Sequence, residues 1–175
     1  LHHRTPAPVL PCGPRHCVRA ASAGRGRRLV SDPVDAPLHR KQGWELRLNA
    51  VLEAARRRPY VLGESDCLRV ACETVAALTG VDFWPRFAGY TTKRGALVTI
   101  ARVAPSLAEA VSVTLGVRQS GVFCAWRGDL LLYRDEMGED HLGVSIGPQV
   151  ALTAPQGWLL IPLSHPGLLC SWRIG

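Results

Sequence analysis

The sequence has no long apolar run, although apolar residues make up 47% of its 175 positions. The longest candidates, such as Leu130–Tyr133 and Trp158–Leu163, have the length of a strand and not the ~20 residues that cross a bilayer. Residues 1–42 contain no apolar stretch typical of a signal peptide. We therefore expect a soluble protein without a transmembrane segment, of a length that suits one domain with additional material.

Aromatic residues are missing from the first part of the chain, where none precedes Trp44. Residues 1–42 are rich in Pro, Gly and Arg, and their eight Lys and Arg against Asp32 and Asp35 give a net charge of +6. Residues 43–175 are close to neutral. Without an aromatic platform on which bases stack, this segment is not expected to recognise nucleic acid specifically. The composition of residues 1–42 predicts an extended basic arm, which is either a solvated tail or binds phosphate or an acidic partner surface.

A disulfide framework is also absent from the pattern, because the six cysteines are irregularly spaced and the chain is long enough to build a core. The spacing Cys12-x4-Cys17, with His16 beside it, is the one that resembles part of a zinc or cluster site. It has no matching second pair. We therefore predict no metal and no cofactor, with an ion at this pair as the open alternative.

Helices come first in the sequence and strands follow. Four helices are predicted, at 44–58, 67–79, 92–102 and 106–115. Between the second and third helix, residues 81–91 form an irregular aromatic loop that predicts either a plug over the core or one wall of a substrate cleft. Strands are predicted at Val117–Gln119, Asp129–Arg134, His141–Ile146, Val150–Thr153, Trp158–Leu163 and Leu169–Ile174. This order is typical of an α+β fold with helices packed on a small antiparallel sheet.

Cys67 is the strongest candidate for chemistry, because it lies at the start of the second helix, where either Ser65 or Asp66 is a natural N-cap. The helix dipole and the unpaired backbone N–H groups there favour a thiolate and offer donors for an oxyanion. His141 is the first residue of a predicted strand downstream of Cys67, and its imidazole could supply the general base and acid that a thiol nucleophile needs. Together they predict a cysteine acyl-transfer site. The alternatives are a buried structural cysteine and a surface histidine in an acidic turn.

Three motifs occur in the order Gly63-x-x-Asp66-Cys67, Arg127-Gly128-Asp129 and His141-Leu142-Gly143-Val144-Ser145-Ile146-Gly147. This order resembles the NlpC-type cell-wall cysteine peptidases, which are compact papain-like enzymes. A closer resemblance is to small proteins from phage and prophage tail gene clusters, and it covers about residues 43–175. The motifs that extend it are Trp44…Arg47-Leu48, Thr79-Gly80-x-Asp82, Gly89-Tyr90, Gly95-Ala96, Leu115-Gly116 and Trp172-Arg173-Ile174.

The resemblance to the peptidases implies a papain-like domain and a role for each matching residue. Cys67 would be the nucleophile, with Asp66 and Cys67 forming the helix start beside the oxyanion. His141 would be the base that then protonates the leaving amine, and Asp129 would be a structural turn residue. The family places His, Asn or Gln on the next strand to orient the imidazole, where this chain has Thr153, with Gln156 as the other candidate.

The resemblance to the tail-cluster proteins implies a virion component at the tail tip or tail hub. Its partners would be other tail proteins in a symmetric multi-subunit assembly, and it would act at the host cell envelope or periplasm. If the site is active, it would cleave an amide in peptidoglycan stem peptides as DNA delivery begins. The alternative is a non-catalytic structural component that uses the same scaffold for assembly contacts, and the substitution of Thr at the third position favours it.

Overall fold

The computed structural model describes residues 37–175, so most of the predicted arm, including Cys12 and Cys17, lies outside the described residues. Residues 37–42 also belong to that arm in the sequence-based prediction, yet several of them contact the domain. Leu38 is buried in the core, and the backbone N–H of Lys41 donates to the carbonyl of Leu78 at 2.7 Å. The folded region therefore includes the last residues assigned to the arm.

The four predicted helices are confirmed, with ends that agree within one or two residues. They are α1 (Trp44–Arg57), α2 (Cys67–Thr79), α3 (Lys93–Val103) and α4 (Leu107–Leu115). Each of the last three begins at a side-chain cap that accepts a backbone N–H: Asp66 for α2, Thr92 for α3 and Ser106 for α4. Two short 3-10 turns, Trp84–Arg86 and Val122–Cys124, lie in the connections.

The strands form one five-stranded sheet in which every neighbouring pair is antiparallel, which confirms the α+β prediction. The spatial order is β4-β3-β2-β1-β5. The strands are β1 (Leu130–Arg134), β2 (Asp140–Ser145), β3 (Gln149–Ala154), β4 (Gly157–Pro162) and β5 (Leu168–Trp172). The predicted strand Val117–Gln119 is wrong. α4 ends at Gly116 and a 3-10 turn begins at Val122, so only Ser120 reaches the edge of β5, where it forms an isolated bridge with Ser171.

Both faces of the sheet are buried. On one face Leu132, Leu142 and Val144 join α1, α2 and α4 in the main core. On the other face a smaller cluster forms around Leu131 and Leu152. Because both faces are apolar, side-chain polarity alone does not reveal which face of a strand meets the helices.

No single helix within residues 37–175 is long and apolar enough to cross a membrane. The helices α3 and α4, which meet at a 49° bend, reach the required length and apolar composition only when they are taken together.

Candidate functional site

Asp66 is the cap of α2 and is only 2% exposed. Its Oδ1 accepts the backbone N–H of Arg69 at 2.9 Å, and its Oδ2 accepts the N–H of Gly63 at 2.7 Å and the hydroxyl of Tyr90 at 2.6 Å. Three donors compensate the burial of this carboxylate. Asp66 therefore fixes the position at which α2 starts.

The turn before α2 requires glycine at position 63. Gly63 has φ of +77°, and a Cβ added there would lie 1.9 Å from the carbonyl oxygen of Tyr90. The loop that carries Tyr90 thus lies directly against the approach to α2. Phe83, Phe87 and Tyr90 of that loop are all buried, as expected for a plug over the core.

Cys67 is the first residue of α2 and keeps a partly exposed surface. Burial is nevertheless the largest influence on its thiol and raises its pKa to about 11. The backbone N–H of Leu142, on β2, acts in the opposite direction, and the charge of Asp66 adds to the increase. The N–H donors at the helix start lower this pKa, as expected, but burial outweighs them and the net shift is upward.

Two tyrosines that the sequence analysis did not assign to the site lie near it. Burial, followed by the charges of Cys67 and Asp66, raises the pKa of Tyr60. Burial, followed by its hydrogen bond to Asp66, raises the pKa of Tyr90. Both hydroxyls therefore stay protonated and can donate. The motif Gly89-Tyr90 drew attention to Tyr90 in the sequence, but Asp66, its hydrogen-bond partner, lies 24 positions earlier in the chain.

His141 hydrogen-bonds to a carboxylate in the turn between β1 and β2. Its Nε2 lies 3.0 Å from Oδ2 of Asp135, and its side chain is 15% exposed. His141 is paired with Tyr133 of β1, and the two ring centroids are 6.2 Å apart. The contact with Asp135 agrees with the acidic-turn part of the alternative for His141, but a side chain that is 15% exposed is not a surface histidine.

Strand alternation directs the Cα–Cβ bond of His141 to the sheet face opposite the one that Leu142 occupies. Leu142 points into the core that contains α2, and side chains alternate along a strand. Tyr133, which shares a face with His141, packs against the smaller cluster on the opposite side. Within the part of the chain that the structure describes, no hydrogen bond joins His141 to Cys67.

The two candidates for the third catalytic group are placed differently from each other. Thr153 lies on β3 with 6% exposure, and its hydroxyl has no hydrogen-bond partner among the described residues. Gln156 is exposed in the turn between β3 and β4. His141, whose hydrogen bond is to Asp135, is bonded to neither of them.

Asp129 is a structural residue, as the resemblance implied. Its carboxylate is 1% exposed and pairs with Arg40 at 2.8 Å and with Arg173 at 3.1 Å. It also accepts the backbone N–H of Trp126 at 2.8 Å and of Ile174 at 3.0 Å. These contacts bind the start of β1 to the first and last parts of the domain.

Comparison with known proteins identifies the family of the chain but assigns it no activity. No curated protein matches the sequence. One family, described as a domain of unknown function (DUF6950), matches residues 39–174. That range coincides with the folded region, including the residues before position 43 that contact it. The chain therefore belongs to the DUF6950 family.

Proposed function

We propose that this chain is a structural component of a phage tail tip or tail hub, built on an NlpC-type papain-like scaffold that does not cleave amide bonds. One observation carries the non-catalytic part. The imidazole of His141 is hydrogen-bonded to Asp135, and among the described residues it makes no hydrogen bond to Cys67, so the thiol has no bonded base of the kind that a thiol nucleophile needs.

The architecture supports the scaffold. A helix that begins with Cys67 packs against a small antiparallel sheet, and the Asp-Cys, Gly-Asp and His-Leu-Gly motifs follow in the order typical of the peptidases. The assignment to a phage tail rests on the resemblance to tail-cluster proteins.

The protonation state of Cys67 supports the absence of turnover. A pKa of about 11 lies four units above neutral pH. Roughly 1 thiol in 10⁴ is then ionised at pH 7, whereas the thiolate is the attacking species. A peptidase normally reverses this ratio with a neighbouring imidazolium.

The proposal is tested with the full chain and purified peptidoglycan fragments. New amino groups are quantified for the wild type and for Cys67→Ser, whose folding is checked by circular dichroism. We expect the same background signal from both proteins. Turnover by the wild type that is lost in both Cys67→Ser and His141→Gln would refute the non-catalytic assignment.

The tail assignment has a separate test. If the proposal is correct, mass spectrometry of purified phage particles should detect the chain, and the chain should co-purify with tail-tip proteins encoded by neighbouring genes. Particles that contain all other tail proteins but not this one would contradict the assignment.

A cysteine peptidase acting on stem-peptide amides is the second candidate, and one feature favours it. Backbone N–H groups of Leu142, Leu68 and Cys67 lower the pKa of the sulfur, and such donors are what an oxyanion requires. This candidate predicts amide cleavage in the same assay, abolished by Cys67→Ser.

A further inference from the structure

The turn between β1 and β2 brings together an imidazole and two carboxylates. One donor atom each from Asp135, Glu139 and His141 lies within 4.8 Å of the others, and all three residues are half-buried. We propose that these atoms, Oδ2 of Asp135, an Oε of Glu139 and Nε2 of His141, bind a divalent first-row transition-metal ion such as Zn²⁺. None of the donors is Cys67, and the inference does not depend on the proposed function.

The spacing of the donors suits a single ion. Two ligands at ~2.0–2.2 Å from a tetrahedral ion lie roughly 3.3–3.6 Å apart. Nε2 of His141 and Oδ2 of Asp135 are already separated by 3.0 Å. A carboxylate oxygen of Glu139 lies within 4.8 Å of both and has to move closer to complete the set.

The turn holds the donors in place through contacts that do not use the ligand atoms. Oδ1 of Asp135 accepts the backbone N–H groups of Met137 at 2.9 Å and Glu139 at 2.8 Å, which leaves Oδ2 directed at His141. The ring of His141 packs beside Tyr133. Ligands that are oriented before binding lose little conformational entropy when the ion arrives.

One of the three donors already has a cationic neighbour from another part of the fold. The ammonium of Lys93, on α3, contacts the carboxylate of Glu139. Arg134 is paired with Asp140 and therefore does not serve this cluster. A divalent ion would displace Lys93 from Glu139, so the ammonium and the metal compete for the same oxygen atoms.

The donor types indicate which ions fit. One imidazole nitrogen with two carboxylates suits Zn²⁺ and neighbouring transition metals, whereas Ca²⁺ prefers six to eight oxygen ligands. Three protein ligands leave at least one position for water or for a group from a binding partner.

The test is a titration of the metal-free full chain with Co²⁺, which reports its ligands by absorption. Nitrogen and oxygen ligands give visible bands without the near-ultraviolet charge-transfer band of a thiolate, so this site is distinguished from the cysteines. We expect one saturable site of the nitrogen–oxygen type. Because each change removes a ligand, Glu139→Gln and His141→Gln should bind Co²⁺ at least ~10-fold more weakly.

Two further variants sharpen the test. Lys93→Met removes the competing ammonium and should bind Co²⁺ more tightly than the wild type. His165→Gln is the matched control, because His165 lies 5.4 Å from the ring of Tyr133 but is not among the donors, and its affinity should be unchanged.

Equal Co²⁺ affinity in the wild type, Glu139→Gln and His141→Gln would overturn the proposal, as would binding that shows only the thiolate band. Thermal unfolding followed by circular dichroism shows whether each variant is folded. If His141→Gln unfolds, Glu139→Gln alone decides, since the Glu139 side chain is 40% exposed and its change leaves the backbone hydrogen bonds of the turn intact.

Discussion

The thiol of Cys67 should resist alkylation at neutral pH. An ordinary cysteine has a pKa of 9.0, and burial raises that of Cys67 to about 11. This increase in pKa lowers the thiolate fraction at pH 7 from roughly 1 in 10² to roughly 1 in 10⁴, and only the thiolate reacts. Alkylation should therefore be about 100-fold slower than for a free thiol, before any steric protection is counted.

The assay is timed reaction with iodoacetamide followed by mass spectrometry of the peptide that contains Cys67. The same peptide in urea-unfolded protein is the matched control, because unfolding restores an ordinary pKa. In the folded protein the rate should rise about tenfold per pH unit between roughly pH 7 and pH 10. His141→Gln should leave the rate unchanged, because the imidazole is not bonded to the sulfur.

A rate at pH 7 that equals or exceeds the unfolded control, with a plateau near or below pH 8, would refute this reasoning. It would mean that the helix start and the surrounding N–H groups outweigh burial. If His141→Gln then slowed the reaction, the imidazole would have to reach the sulfur in solution.

Two further changes test the contacts around α2. Tyr90→Phe removes the hydroxyl that donates to Asp66 at 2.6 Å, and urea unfolding should show a loss of about 1.5–3 kcal/mol, whereas a loss of only a few tenths would contradict the anchoring role of this bond. Burial alone would raise the pKa of Glu73, but hydrogen bonds from Arg58 and Arg69 outweigh burial and lower it. The ion pairing therefore stabilises the folded protein above the unfolded pKa of about 4.3. That stability is lost as the pH falls through the lower pKa of the folded protein. Because these side chains are partly exposed, Glu73→Gln should lower the free energy of unfolding at pH 7 by less than ~1 kcal/mol. The free energy of unfolding of this variant should also decline less steeply in acid than that of the wild type. An unchanged pH profile would contradict the ion pairing.

The sequence predicted the start of α2 well because the signals there are local. Asp66 caps the helix three residues before its N–H partner, and Gly80 ends it in the left-handed conformation. The partner that completes the cap, Tyr90, could not be predicted, because its loop has no regular period and its contact with Asp66 is tertiary.

The position of His141 shows a different limit. The sequence placed it correctly at the start of a strand, but a strand presents alternate residues to opposite faces. Both faces of this sheet are covered by apolar side chains, so the pattern did not reveal which one meets α2. The acidic turn before it, which holds Asp135, was visible in the sequence and decides the hydrogen bond of the ring.

The contact between Arg40 and Ile174 brings the beginning and the end of the folded region together. The guanidinium Nε donates to the carbonyl of Ile174 at 2.5 Å. A side-chain hydrogen bond therefore couples residue 40 to residue 174, so a change that loosens either end of the described region also removes a contact from the other.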